Sequence, residues 1–396
     1  MKKAILIALL FACLPLLCAC GDGMEIEEHA FALSMAVDRT DLGQTRVSLQ
    51  VLAGGQSGGA EGGEAKKKEG EETGGEDEPA LVQDGYLLVS ATGEDYPHAL
   101  AVLAATVPRK LSLSHLREVV VSEELARSEA FYPLLMQIHA SYEAEESAFL
   151  VVSKGEAQKV IAAQRPYIGS RLSRYLELLF AYYIDLGYIP QSRLGDVMRT
   201  MTAQVGDPAV IYAAVHDTQD APTYAQANAL DALPGNLPHQ SASKLDFLGA
   251  AIFSERRMVG ALTGTQVQLL RMLTGEFKQC PYFLGDEEYT LRQTKRSRQS
   301  VRFSGGQASV AVSVHLTAEK RIPAQVDAAA LRGQLEQELH GLITKLQSTN
   351  SDCLGLGRQV IRRYATVAGW EQSNWRAAYV AAPVQVEVGL LVQQGR

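Results

Sequence analysis

One stretch of this chain, residues 4–20, is apolar for long enough to approach the thickness of a bilayer, and it lies at the extreme N-terminus. No other run reaches about 18 apolar residues. A polytopic membrane protein is therefore excluded, and the rest of the chain must bury its apolar groups against itself. The material is there: 46% of residues are hydrophobic and 21% charged, ordinary proportions for a globular protein. A length of 396 residues allows two to three domains at about 100–200 residues each. Lys and Arg number 37 against 45 Asp and Glu, a formal net charge of −8. Nucleic-acid binding, which needs a basic face to meet phosphates, is a poor fit to that balance.

The apolar run has the layout of an export signal. Lys2 and Lys3 form a positive start, Ala4 to Leu17 an apolar centre, and Leu17-Cys18-Ala19-Cys20 an exit. Leu at −3, a small residue at −1 and Cys at +1 make a lipobox. The small side chain lets the signal peptidase reach the backbone, and the Cys20 thiol takes a diacylglyceryl group. The expected product is a signal peptide over 1–19 and a mature chain anchored through Cys20. Two acyl chains, at about 0.8 kcal/mol per buried CH₂, hold stably where one does not. Three of the five cysteines (Cys13, Cys18, Cys20) sit in this leader, which excludes a disulfide-rich scaffold. Cys280 and Cys353 remain, either paired or free.

Beyond the leader, strand and helix patterns alternate. Residues 26–38 and 45–52 alternate apolar and polar positions and predict two neighbouring strands. Residues 54–79 then hold nine Gly, eight acidic residues and Lys66, Lys67 and Lys68, with no aliphatic residue larger than Ala. Such a segment cannot bury enough surface to offset its ordering entropy and is expected as a flexible surface loop. Strands are predicted at 84–92, 111–122 and 147–153, with a helix over 95–106 and another capped by Ser122. A strongly apolar helix covers 173–186 and a second, capped by Ser192, runs to about 204. A strand at 209–216 follows, then a loop over 217–243, a hairpin at 246–261 and a helix over 264–273. The last third has strands at 299–304 and 307–317 around Gly305-Gly306, a long helix over 325–349 and a final strand at 384–395. In that helix Leu331, Leu335, Leu339, Leu342 and Leu346 recur at spacings of four and three. They form one apolar stripe, expected to pack on a sheet because it is too short for a coiled coil. The fold class expected is α+β, a mixed α/β chain of about three domains with largely antiparallel or mixed sheets and packed helices. Its boundaries are 20–188, 189–280 and 281–396.

Catalytic signatures are missing from the sequence. The eight histidines, among them His115 in an apolar stretch, form no H-E-x-x-H or other helical pair. There is no G-x-S-x-G, no P-loop and no G-x-G-x-x-G. Gly355-Leu356-Gly357-Arg358 lacks the third glycine and reads as a turn. The paired acids Glu27-Glu28, Glu123-Glu124 and Glu145-Glu146 read as solvated faces or first-turn charges. Arg358, Arg362 and Arg363 cluster after the long helix, where salt bridging on a short helix is favoured over a contact with a partner or a lipid headgroup.

Several segments, in order and over nearly the whole chain, resemble the Ger(x)C family, the lipoprotein C subunits of spore germinant receptors. They are the lipobox with Glu25-Ile26-Glu27-Glu28, Ala30-Phe31 and Asp38; Leu113-Ser114-His115-Leu116 with Ser122-Glu123-Glu124-Leu125-Ala126-Arg127; and Gly249-Ala250-Ala251-Ile252-Phe253 with Met258-Val259-Gly260 and Leu273-Thr274-Gly275. The most specific is Asp352-Cys353-Leu354-Gly355-Leu356-Gly357-Arg358, followed by Trp370, Trp375, the Val384 to Val388 strand and Gly395-Arg396. Gly21-Asp22 stands where the family has Trp-Asp, and Cys353 and Leu356 also depart from its pattern. The resemblance implies a lipid-anchored accessory subunit, held at Cys20 on the outer face of the cytoplasmic membrane, which is the inner membrane of the spore. It would act with two integral membrane subunits in nutrient-triggered germination, with no catalytic site, cofactor, metal or nucleic acid. A direct nutrient ligand is not implied. The alternative from another class is a solute-binding lipoprotein of a transporter, which predicts two similar lobes that the chain does not repeat.

Overall fold

The computed structural model describes residues 28–52, 82–83, 85–141, 145–169, 171–216, 230–239, 241–284, 287–320 and 327–394. The leader with Cys20 and the Gly-rich segment 54–79 lie outside the described residues.

The chain up to residue 262 builds one large sheet. Its strands are β1 (His29–Arg39), β2 (Thr45–Leu52), β3 (Val82–Gln83), β4 (Tyr86–Gly93), β5 (Lys110–Ser112), β6 (Glu118–Ser122), β7 (Phe149–Ser153), β8 (Ala209–Val215), β9 (Leu245–Ser254) and β10 (Arg257–Leu262). The spatial order is β10-β9-β8-β7-β6-β1-β2-β4-β3, with β5 beside the start of β1. β1, β6, β7 and β8 run parallel; β2–β4 and β9–β10 add antiparallel wings. β6 and β7 are buried at every position, as parallel strands covered on both faces must be. Their alternation splits two cores. Val119, Val121, Leu150 and Val152 face α1 (Tyr96–Thr106), α2 (Glu123–Arg127), α3 (Phe131–Ala140) and α6 (Leu194–Ala203). Val120 and Val151 face α4 (Ala157–Ala163) and α5 (Leu172–Asp185). Among the described residues no helix is long and apolar enough to cross a membrane.

A second sheet of four strands follows: β11 (Gln279–Leu284), β12 (Glu287–Ser304), β13 (Gln307–Lys320) and β14 (Val384–Gln394). β14 joins β13 in parallel, the other pairs being antiparallel. Between these sheets lies α7 (Gly264–Thr274), whose Thr263 cap and Gln266 form a capping box. The long α8 (Ala328–Ser348) covers the second sheet with its leucine stripe: Leu331, Leu335, Leu339 and Leu346 are fully buried and Leu342 nearly so. That core also takes in Ala250 and Ile252 of β9, so the two sheets are packed into one another's margins. Short α9 (Gly357–Ile361), α10 (Val367–Gln372) and α11 (Trp375–Val380) lead back to β14.

The α+β class holds, with one mixed and one largely antiparallel sheet. Residues 189–280 contribute β8, β9 and β10 to the same sheet as residues 20–188, so the expected middle unit shares its sheet with the N-terminal one. Residues 111–122 form two strands, not one: Leu113 and Leu116 turn inward and are buried, while His115 is exposed on the intervening turn against the ring of Phe31. Ser192 does not cap α6; its hydroxyl donates to the Leu150 carbonyl and Arg193 takes the cap position. Cys280 and Cys353 are both free.

Candidate functional site

The segment most distinctive in sequence, residues 352–358, sits where the two sheets meet. α8 ends at Ser348, and Asn350 takes a left-handed φ of 52°, a conformation Asn tolerates better than most. Ser351 then donates to the Phe253 carbonyl of β9 at 2.6 Å. The Asp352 carboxylate folds back on the turn and accepts the backbone N–H groups of Leu356 (2.9 Å) and Gly357 (2.8 Å). The two glycines serve different needs. Gly355 has φ +67°, the left-handed region. A Cβ on Gly357 would stand 2.7 Å from the Val205 carbonyl and 2.9 Å from Nε1 of Trp375.

This turn is tied to the large sheet by an ion pair. Asp207, just ahead of β8, accepts the Asp352 N–H at 2.8 Å and donates its own N–H to the Asp352 carbonyl at 3.0 Å. Arg376 of α11 grips the Asp207 carboxylate with both guanidinium arms, at 2.9 and 3.0 Å. It also donates to the Asn350 carbonyl and to the Ser254 hydroxyl. Burial pushes the Asp352 carboxyl up to about 7, against the pull of its two backbone donors. Burial likewise pushes the Cys353 thiol up to about 12, so it is not a thiolate nucleophile.

Beside the turn opens a polar groove of about 590 Å³. One wall carries Asp196 and Thr200 of α6 and the Gly206–Ala209 strand entry; the opposite wall carries Arg271 and Glu276 at the end of α7 and Arg296 to Gln299 of β12; Cys353 to Gly355 and Arg358 form the back. Of the basic cluster read from the sequence, Arg358 lines this groove and donates to Thr200 at 3.2 Å. Arg363 turns away to the Val301 and Phe303 carbonyls, and Arg362 is exposed. Trp375 is buried against Phe303 and Tyr379, while Trp370 meets Tyr364 edge to face.

A second cluster, which the sequence reading missed, joins His216, His239 and Asp246. The buried Asp246 carboxylate meets His216 Nδ1 at 3.2 Å and His239 Nε2 at 2.8 Å, and accepts the Gly235 N–H at 2.9 Å. Among the described residues this is the one group of His, Cys and acid side chains close enough to hold a metal ion. However, the imidazoles stack at 4.0 Å with only 21° between their planes. In-plane lone pairs on stacked rings do not converge on a common ion, so the cluster fits a hydrogen-bonded knot better than a metal centre. No spacing rule links residues 216, 239 and 246; a fold was needed to bring them together.

Comparison with known proteins places these features. A spore germination protein N-terminal domain model matches residues 22–215, and a spore germination B3/GerAC-like C-terminal model matches residues 248–395. The putative spore germination protein YfkR of Bacillus subtilis (strain 168) is 25% identical over 96% of this chain and 94% of its own length. Spore germination protein KC of the same organism is 22% identical over 99% of this chain and 96% of its own. The crystal structure of the GerBC protein superposes with a TM-score of 0.51 at 14% identity, covering 90% of this chain and 96% of that one. At such identity the likeness speaks for the fold.

Proposed function

The chain belongs to the GerAC-like family of spore germination proteins, and on that premise we propose that it is the lipid-anchored accessory subunit of a germinant receptor. The observation that carries this reading is the ordered match of both family domains, from residue 22 to residue 395. The 352–358 turn, the most specific sequence feature, falls in the second of them. In this reading Cys20 carries the lipid, the chain stands on the outer face of the cytoplasmic membrane that becomes the spore's inner membrane, and two integral membrane subunits are its partners. It supports nutrient sensing as a non-catalytic subunit.

Three measurements test this. Mass spectrometry of the mature N-terminus should find a modified Cys20, and Cys20→Ala should leave an unprocessed or released protein; an unmodified or different N-terminus overturns the anchor. Deletion of the gene, in a strain with no redundant receptor, should abolish the nutrient response while spores still germinate with agents that bypass receptors. The tagged protein should co-purify with two membrane subunits from spores. A deletion strain that answers every nutrient normally refutes the receptor role.

A further inference from the structure

We propose that the groove beside the 352–358 turn binds a small oxyanion ligand bearing two negative charges, of the phosphomonoester or dicarboxylate kind. The inference goes beyond the receptor reading and does not rest on it, because a subunit without this ligand would still assemble.

The first observation is charge. In a chain of net charge −8, four arginines (Arg271, Arg296, Arg298 and Arg358) line a single concavity. Of the acids that line it, Asp207 is committed to Arg376 and Asp196 to Arg199, and Glu276 stands 4.0 Å from Arg271. Arg296 and Arg298 pair with no acid among the described residues, and both are exposed. Two like charges two residues apart on one strand repel. A concave, low-dielectric wall focuses such charges on whatever enters it.

The second observation is how β12 is bent to present them. Its pairing with β13 slips twice, between Gln293 and Lys295 and between Lys295 and Arg298. Bulges re-aim side chains and gather beside functional sites. This one is pinned to α7, with Ser297 and Gln299 both donating to the Leu273 carbonyl, at 2.5 and 2.7 Å. The irregular stretch is therefore held in one place.

The third is Arg271. It is only 6% exposed, yet its Nε and Nη1 have no hydrogen-bond partner, and the carboxylate of Glu276 stands 4.0 Å away. Burial draws the Arg271 pKa down despite the nearby carboxylates of Glu276 and Asp185. The Arg271 Nη2 donates to the Glu276 carbonyl at 2.8 Å, and the two donors left open, Nε and Nη1, are hydrogen-bonding capacity that an oxyanion in the groove would fill. The guanidinium forks match carboxylate and phosphate oxygens. A volume of about 590 Å³ holds a small metabolite and lies at a junction between structural units, where ligand sites concentrate.

The test is calorimetric titration of the full mature protein in detergent at low salt, with inorganic phosphate, glycerol 3-phosphate, succinate and, as the uncharged control, glycerol. Saturable binding of a phosphate probe or of succinate is expected, and which of them binds tighter identifies the source of the oxyanion. The Arg296→Gln/Arg298→Gln variant should bind at least about tenfold more weakly. Arg302→Gln, an exposed change on the same strand outside the groove, should stay within about twofold, and circular dichroism should show both variants folded. No saturable binding of any anionic probe overturns the proposal. So does equal binding of glycerol, or an equal loss in Arg302→Gln.

Discussion

Removing the Arg376 guanidinium should loosen the junction of the two sheets more than any contact-by-contact reading of its neighbours implies. The Asp207 side chain is only 4% exposed, and Arg376 supplies both of its guanidinium bonds. In Arg376→Met the aliphatic length stays but the carboxylate keeps just the Asp352 N–H. Uncompensated buried charges of this kind cost about 3–5 kcal/mol. Because Arg376 is itself 25% exposed and water can enter as it leaves, about 3 kcal/mol is the reasonable figure. For a unit of 150–250 residues that is a fall in Tm of about 6–12 °C. Asp207→Asn/Arg376→Met leaves no stranded charge and should be less destabilised than the two single losses added together, by at least about 1 kcal/mol. Urea unfolding of the four species, followed by circular dichroism, closes the cycle. A loss below about 1 kcal/mol in Arg376→Met, or strict additivity in the double variant, refutes the reasoning.

Three further outcomes follow from particular residues. Glu118 is fully buried, accepts from Ser34 and Gln164, and has one oxygen without a partner; burial pushes its pKa up to about 7 from 4.5. The folded state then holds a proton that the unfolded state releases, so this group's contribution is full below about pH 4.5 and is lost as pH rises through about 7. Glu118→Gln should gain up to about 3 kcal/mol on the native protein across that window, and an unchanged difference between urea midpoints at pH 4.5 and 7.5 counts against it. Leu339→Ala, in the buried stripe of α8, should cost about 2–5 kcal/mol, while exposed Gln337→Ala stays within about 0.5 kcal/mol; equal effects by thermal melting would refute the packing of that face. Gly333, with open space around its Cβ site, and Gly357, with a carbonyl at 2.7 Å, should respond to alanine with opposite signs. The first should gain about 0.5–1 kcal/mol and the second lose about 1–3 kcal/mol, and denaturant midpoints moving in the same direction would contradict the geometry.

What could be seen in the sequence was what acts locally. The leucine stripe of α8 repeats at helical spacing, and the hairpin at 246–261 alternates around a short turn, so periodicity found both. The glycines of the 352–358 turn were visible for the same reason. β12 was read only at its end, because its first part, Glu287 to Arg298, is mostly polar and buries only Tyr289 and Leu291; two apolar positions are too few for an alternation to detect. α4, α10 and α11 were missed because six or seven residues span too few turns for a period. The Asp207–Arg376 pair is separated by 169 residues. No local pattern records such a partnership, nor the meeting of His216, His239 and Asp246.

The same long-range contacts set what an occupant of the groove can do. Its walls come from both sides of the junction: α6 and the entry to β8 belong to the large sheet, while β12 and the 352–358 turn belong to the second unit. Asp207 and Cys353 line the groove and also belong to the knot that holds the turn against β8 and β9. Arg296, Arg298 and Arg358 all stand on the second unit, and it is the bond from Arg358 to Thr200 on the far wall that couples an anion held by them to the large sheet. A ligand that binds only when both walls are in place adds its binding free energy to their association, RT ln(1 + [L]/Kd). At about one hundred times Kd this is about 2.7 kcal/mol, similar to the contribution assigned above to the Asp207–Arg376 pair. Such a ligand should restore much of the stability lost in Arg376→Met, raising its Tm in a concentration-dependent way, and should not do so in the Arg296→Gln/Arg298→Gln background. Rescue that persists in that background would place the ligand elsewhere and separate the groove from the junction.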